Sequence, residues 1–182
     1  DVATLRDAWH SWGRPACVLE AAVDLATELS VLVVTGRHGE RCVYEPVENV
    51  HRHHILDHSR VPAGLSDAQQ REAVTLAERT ADAFATPGLI CVEMFLATDS
   101  RLLVNEIAPR PHNSGHLTIE AHRTCQYEQL VRALAGLPLG SVDRPKPAAM
   151  VNLLGDLWAE GEPRFERLLE DPRIGLCLYG KR

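Results

Sequence analysis

The chain lacks a basic excess, a long apolar run and paired cysteines, and each absence removes a class of function. Lys and Arg number 19 against 25 Asp and Glu, a formal charge of −6. Proteins that bind nucleic acid through its phosphates need the opposite balance, so a nucleic-acid partner is set aside. The longest apolar stretch, around 29–34, is strand-sized. A membrane span needs ~20 such residues. No secretory signal opens the sequence. Cys17, Cys42, Cys91, Cys125 and Cys177 are scattered, with no C-x-x-C pair. That argues against a disulfide framework or a Cys-type zinc site, and for reduced thiols in a cytoplasmic protein. There is no G-x-G-x-x-G or G-K-G run, no internal repeat and no low-complexity segment.

What remains is an ordinary globular composition, 45% hydrophobic and 24% charged over 182 residues. This is enough for one cored domain, or one domain and a piece of another. A helix is expected over 2–12 and a strand over 16–23. Strands over 28–34 and 41–44 flank Gly36-Arg37-His38-Gly39, a hairpin signal. The polar, His-rich stretch 45–59 is expected to be a loop. Ser66 with Gln69 makes a capping box, and Ala73, Leu76, Ala77, Thr80 and Phe84 supply the stripe of the helix that follows. Strands over 89–96 and 102–107 come next, joined by a turn at Thr98–Arg101. A helix over 118–134 ends at Gly136. The proline-rich stretch 137–147 is expected to be a linker. Beyond it lie a strand over 149–154, a short helix over 165–170 and a strand over 174–179. The order of hairpins and helices predicts an α+β fold with antiparallel pairing rather than a doubly wound sheet.

The hairpin over 89–107 carries the sharpest chemical signal. A turn centred between Asp99 and Ser100 places Glu93 directly opposite Glu106, on one face. Facing Cβ atoms in such a pair lie about 4.5–5.5 Å apart. At ~5 Å and an effective dielectric of 20, the two charges repel by about 3 kcal/mol. A half-buried sheet tolerates that only with a cation between the carboxylates, and Mg²⁺ is a hard ion that takes oxygen ligands. The alternative is two solvated glutamates on an exposed face, and a one-residue slip separates them. Downstream, Arg110 offers a fork for phosphate or carboxylate, His112 and Asn113 add donors, and Gly115 permits close backbone approach. The alternative there is a turn that caps the following helix.

The run Asn105-Glu106-Ile107-Ala108-Pro109-Arg110-Pro111-His112-Asn113-Ser114-Gly115-His116 resembles the signature of the 5-(carboxyamino)imidazole ribonucleotide synthetases. These are the ATP-grasp carboxylases of purine biosynthesis. The resemblance extends to Cys17-Val18-Leu19-Glu20, Glu28-Leu29-Ser30-Val31, Glu48-Asn49-Val50-His51 and Gln126-Tyr127-Glu128-Gln129. It continues through Gly136–Gly140, Met150–Gly155 and Leu178-Tyr179-Gly180-Lys181. It implies a ligase that uses ATP and bicarbonate, through carboxyphosphate, to carboxylate 5-aminoimidazole ribonucleotide. It further implies two Mg²⁺ ions, a homodimer, and no nucleic-acid or membrane partner.

Residue by residue, the resemblance places Glu20 and Val23 against the adenine and Glu28 on the ribose. His51 and Asn105 would lie toward the nucleotide, and Glu93 and Glu106 on the metal. Arg110, His112 and Asn113 would face bicarbonate, carboxyphosphate and the imidazole substrate, with Lys181 on the ribonucleotide phosphate. Residues 1–140 would be the ATP-grasp subdomain, and 141–182 a linker and the start of a small β-rich C-terminal domain. The family's N-terminal domain and its lysine and glycine-rich phosphate loop are not among these residues. A portion of a longer chain, inactive alone, is therefore expected. Glu45 and His54 stand where the family commonly has proline and glycine.

Other features have plainer expectations. His51, His53, His54 and His58 do not have zinc-finger spacing. They suggest a substrate-covering loop with His51 near the phosphates, or a solvated loop. Trp9, Trp12 and Trp158 are expected to pack, and Cys91 and Cys125 to be core thiols. The competing functions are a sibling ATP-grasp ligase using another acid, and a non-catalytic chain that binds nucleotide or only dimerises.

Overall fold

The most apolar run in the chain becomes its central strand. In the computed structural model, which describes residues 2–84 and 86–180, β1 (Leu25–Thr35) buries six consecutive residues from Leu29 to Val34. A strand covered on both faces shows such a run instead of alternation. β1 turns at Gly36–Gly39 into β2 (Arg41–Val43), pairing Thr35 with Arg41 as the hairpin signal predicts. Then come β3 (Val47–Arg52), β4 (Ile55–Val61), β5 (Gly88–Ala97), β6 (Leu102–Ala108) and β7 (Ala148–Val151). The sheet runs β6-β5-β1-β3-β4-β7, with β2 also on β1. Every pairing is antiparallel, in line with the expected α+β class.

The two faces of the sheet are covered differently. On one, α2 (Asp67–Asp82) lays Ala73, Ala77 and Ala81 over Leu29, Val31, Val92 and Met94. The capping box at its start is formed as expected, Ser66 and Gln69 satisfying each other's backbone N–H groups. On the other face, α4 (Gln126–Ala135) covers Leu32, Val34, Leu89 and Cys91 through Ala133. Val47 and Val61 on that same face pack under Leu117 and Ala121, from the short helices Asn113–Leu117 and α3 (Thr118–Ala121). Helix α1 (Val2–Ser11) and α5 (Phe165–Leu168) bury no residue.

Five expectations are corrected. Residues 16–23 form no strand. A strand exists only by pairing, and here Val18 and Leu19 stand 85% and 74% exposed with no ladder beside them. The His-rich stretch is not a loop but the β3–β4 hairpin. Its inward positions include the polar Asn49 and Ser59, which hides the alternation, and its two-residue turn is His53-His54. Both have left-handed φ angles, 51° and 63°, which suit a tight hairpin turn. The helix over 118–134 is interrupted, because His122 is extended and the Gln126 N–H bonds to the Thr118 hydroxyl. Gly136 closes the second part at φ 71°, as expected. Residues 174–179 form no strand. The tryptophans do not fill a core, since Trp12 is 69% exposed and Trp9 and Trp158 are partly so. The stretch 137–147 has no regular structure, yet it is strapped down. Gln129 exchanges two hydrogen bonds with the Gly140 backbone, and Arg144 pairs with Glu45 at 2.5 Å.

Two outcomes follow. A Cβ on Gly115 would lie 2.4 Å from Gln126 Oε1 and 2.8 Å from Leu32 Cδ1. Gln126 is fully buried and holds both the N–H and the C=O of His112. Gly115→Ala should therefore lower stability by about 1–3 kcal/mol in urea unfolding. Unchanged stability would show that Gln126 moves freely. Burial pushes the Cys91 thiol up to about 12. Iodoacetamide should leave Cys91 unlabelled in the native protein and modify it only on unfolding.

Candidate functional site

One extra residue in β6 sets the site. Near the turn, Leu96 pairs with Leu102 and Met94 with Val104, one step off a turn centred between Asp99 and Ser100. A β-bulge then inserts Asn105, and beyond it Glu93 pairs with Glu106. Because side chains alternate with a period of two, the bulge moves Glu106 onto the face opposite to that of Val104. The predicted pair is formed, by a route the sequence arithmetic did not include.

The same alternation aligns a polar row across the sheet. Glu93 also faces Ser30 on β1, Glu28 on β1 faces Asn49 on β3, and Asn49 faces Ser59 on β4. This face is apolar where α4 covers it and polar where α4 does not reach. Glu28 contacts the imidazole of His51. Glu28, His51, His54, Glu93 and Asn105 line one cavity. Glu20 and Val23 line a second, with Asp24, Thr98, Arg101 and Leu103. The segment 16–23 is held there through Thr98, whose N–H and hydroxyl bond to the Asp24 carbonyl and carboxylate.

Glu93 is the better controlled of the paired carboxylates. His112 Nε2 lies 2.9 Å from its Oε1. That hydrogen bond holds Glu93 below the usual carboxylate range against its partial burial, with His51 and Arg110 adding favourable charge. Glu106 is exposed, which moderates the repulsion between them. The donor set is two carboxylates on neighbouring strands. Among the described residues no cluster of three or more His, Cys, Asp or Glu is poised on one metal. Two carboxylates without a closed cage fit a hard cation that draws its other oxygens from phosphate and water.

The loop after β6 is fixed by its backbone. Gln126 clamps His112, and its Nε2 also bonds to His116 Nδ1. Burial lowers the pKa of His116, in keeping with a neutral ring that accepts at Nδ1. Arg110 is exposed and, among the described residues, bonds only to the neighbouring Pro111 carbonyl through Nη1, which leaves the rest of its fork available. Asn113 begins the short helix after His112, and its Oδ1 is buried with no hydrogen-bond partner among the described residues. Lys181 lies outside the described residues.

The site thus gathers Glu28, His51, Glu93 and Asn105 at one cavity, with Glu106, Arg110 and His112 around Glu93 and Asn113 next to His112 in the short helix. Glu20 and Val23 border a separate hollow. Sequence reasoning missed the roles of Ser30, Asn49, Ser59 and Gln126. The usable signal was polar residues in strand phase with Glu93, interrupting otherwise apolar strands.

Comparison with known proteins bears on the fold and the family. The ATP-grasp domain model matches residues 1–127. The N5-carboxyaminoimidazole ribonucleotide synthase of Bacillus subtilis strain 168 is 46% identical over 169 residues, covering 91% of this chain and 43% of its own length. That of Brucella melitensis is 38% identical over 176 residues, covering 97% and 48%. The chain therefore spans a little under half the length of these curated relatives. A crystal structure of the ADP complex of an N5-carboxyaminoimidazole ribonucleotide synthetase matches with a TM-score of 0.89 and 37% identity. It covers all of this chain and 48% of that one. The Aspergillus clavatus synthase, solved with ADP and 5-aminoimidazole ribonucleotide, matches with a TM-score of 0.71 and 36% identity over 74% of this chain and 36% of its own. With a family model over most of its length and paired carboxylates on the sheet face, the chain belongs to the ATP-grasp family.

Proposed function

We propose that this chain supplies the phosphate-and-metal part of an enzyme that carboxylates 5-aminoimidazole ribonucleotide with ATP and bicarbonate. The observation that carries it is the Glu93–Glu106 pair, with Glu93 tied to His112 and the exposed Arg110 adding favourable charge to it. The relatives named for this reaction, and the neighbour solved with ADP and the aminoimidazole ribonucleotide, support the choice of substrate.

Glu93 and Glu106 would hold Mg²⁺, which would neutralise charge on the ATP phosphates during phosphoryl transfer. Glu28 and His51 would take the ribose side of the nucleotide, with Asn105 on the same cavity wall. Glu20 and Val23 would meet the adenine. Arg110 would bind the planar anion, bicarbonate or carboxyphosphate, through paired N–H groups. His112 and Asn113 would orient the anion and the amine that attacks it, Asn113 through its unpartnered buried carbonyl. Residues 141–182, whose β7 still adds to the sheet beside β4, would lead from this subdomain toward a C-terminal domain. The proposal extends to two Mg²⁺ ions, a homodimer and a cytoplasmic location. Among the described residues, no helix is long and apolar enough to cross a membrane.

The test is ADP release by the full-length protein in bicarbonate buffer, with and without 5-aminoimidazole ribonucleotide. Release should depend on the ribonucleotide. Glu93→Gln should reduce it by about 10²–10³-fold, the scale of losing a preorganised electrostatic contact. Release that follows a different acid or amine would overturn the substrate, and a Glu93→Gln variant as fast as its parent would overturn the metal site.

A further inference from the structure

The hydrogen bond on Glu93 is one end of a longer buried chain. The Ser59 hydroxyl donates to Asn49 Oδ1 at 2.7 Å, and Asn49 Nδ2 donates to Ser30 Oγ at 3.0 Å. Ser30 Oγ meets Ser114 Oγ at 2.7 Å, and Ser114 Oγ meets His112 Nδ1 at 2.8 Å. His112 Nε2 then meets Glu93 at 2.9 Å. Ser59, Asn49, Ser30 and Ser114 are each at most 4% exposed, so water does not reorganise them. They belong to β4, β3, β1 and the short helix after His112, so the chain crosses the sheet.

A hydroxyl can donate or accept, but an amide has a fixed donor and a fixed acceptor end. Asn49 donates to Ser30, so the Ser30 proton points away from Asn49, toward Ser114 or the Cys91 sulfur. With that proton on Ser114, Ser114 gives its own to His112 Nδ1, and the ring proton is left on Nε2 for Glu93. Cys91, the other group within hydrogen-bond reach of both hydroxyls, is a buried thiol whose sulfur is a weak acceptor, so the oxygen and nitrogen acceptors take those protons in preference.

Building on the assignment of Glu93 to the cation, we propose that Asn49 is a positioning residue for this site. Through Ser30 and Ser114 it holds His112 as the Nε2–H imidazole, which ties one oxygen of Glu93 and leaves the other for the ligand. A metal-binding group is commonly oriented by such outer partners, and their loss costs about 10–100-fold in metal affinity or activity.

The test uses the full-length protein with ¹⁵N-labelled histidine. Long-range ¹H–¹⁵N spectra report which ring nitrogen of His112 carries the proton, the signal being assigned by its loss in His112→Gln. The parent should show the Nε2–H pattern. Asn49→Asp has the same shape but only acceptors, so Ser30 must turn its proton back toward position 49. The Nε2–H pattern should then be lost, and half-saturation by Mg²⁺ should rise by about 10–100-fold. Ser59→Ala removes a donor without reversing Asn49 and should keep the pattern. Should the charged substitution prevent folding, Ser30→Ala breaks the chain and serves the same test. A parent ring protonated on Nδ1, or an Asn49→Asp protein that keeps the Nε2–H pattern, would overturn the relay. A changed tautomer with unchanged Mg²⁺ dependence would leave the relay standing and overturn the assignment of Glu93 to the cation.

Discussion

Glu93 and Glu106 face each other across β5 and β6, and the surroundings of the site are arranged to make that tolerable. Two unscreened carboxylates at ~5 Å repel by about 3 kcal/mol, a large part of a domain's net stability. The structure answers in three ways. Glu106 stays in solvent, Glu93 takes a hydrogen bond from His112, and Arg110 and His51 add favourable charge. The pair keeps two carboxylates on neighbouring strands, and the proposed cation site rests on them.

The sheet makes this possible by using one face for two purposes. The face under α2 is apolar on β1 and β5, with three alanines of the helix packed against it. The opposite face is apolar beneath α4 and turns polar along the same strands at Glu28, Ser30, Asn49 and Glu93. The rigid core and the reactive groups therefore share backbone elements, which holds the site more tightly than loops would. The exception is the loop from Pro109 to His112, and Gln126 supplies the clamp that the sheet cannot.

Much of this was legible in the sequence, and the failures are instructive. The facing glutamates were expected from period-two reasoning and form only because a bulge offsets a turn one step from its assumed centre, while the capping box at Ser66 followed from local hydrogen bonding. The bulge at Asn105 was not legible, because nothing in Val104-Asn105-Glu106 marks an extra residue. The β3–β4 hairpin was hidden because Asn49 and Ser59 occupy core-facing positions that pattern reasoning assigns to apolar side chains. They are satisfied by each other and by Ser30, which only three dimensions reveal. The segment 16–23 carries strand-like composition, yet pairing is a property of neighbours and not of the segment. The run 105–116 was legible as a family resemblance, while the Gln126 clamp on its backbone was not.

The most direct measurement is a crystal structure of the full-length protein with Mg²⁺ and a non-hydrolysable ATP analogue. A cation bonded to oxygens of both Glu93 and Glu106, at about 2.0–2.1 Å, with its remaining ligands from phosphate and water, is the expected result. A cation held by neither carboxylate, or the two side chains on opposite faces of the sheet, would contradict the site described above.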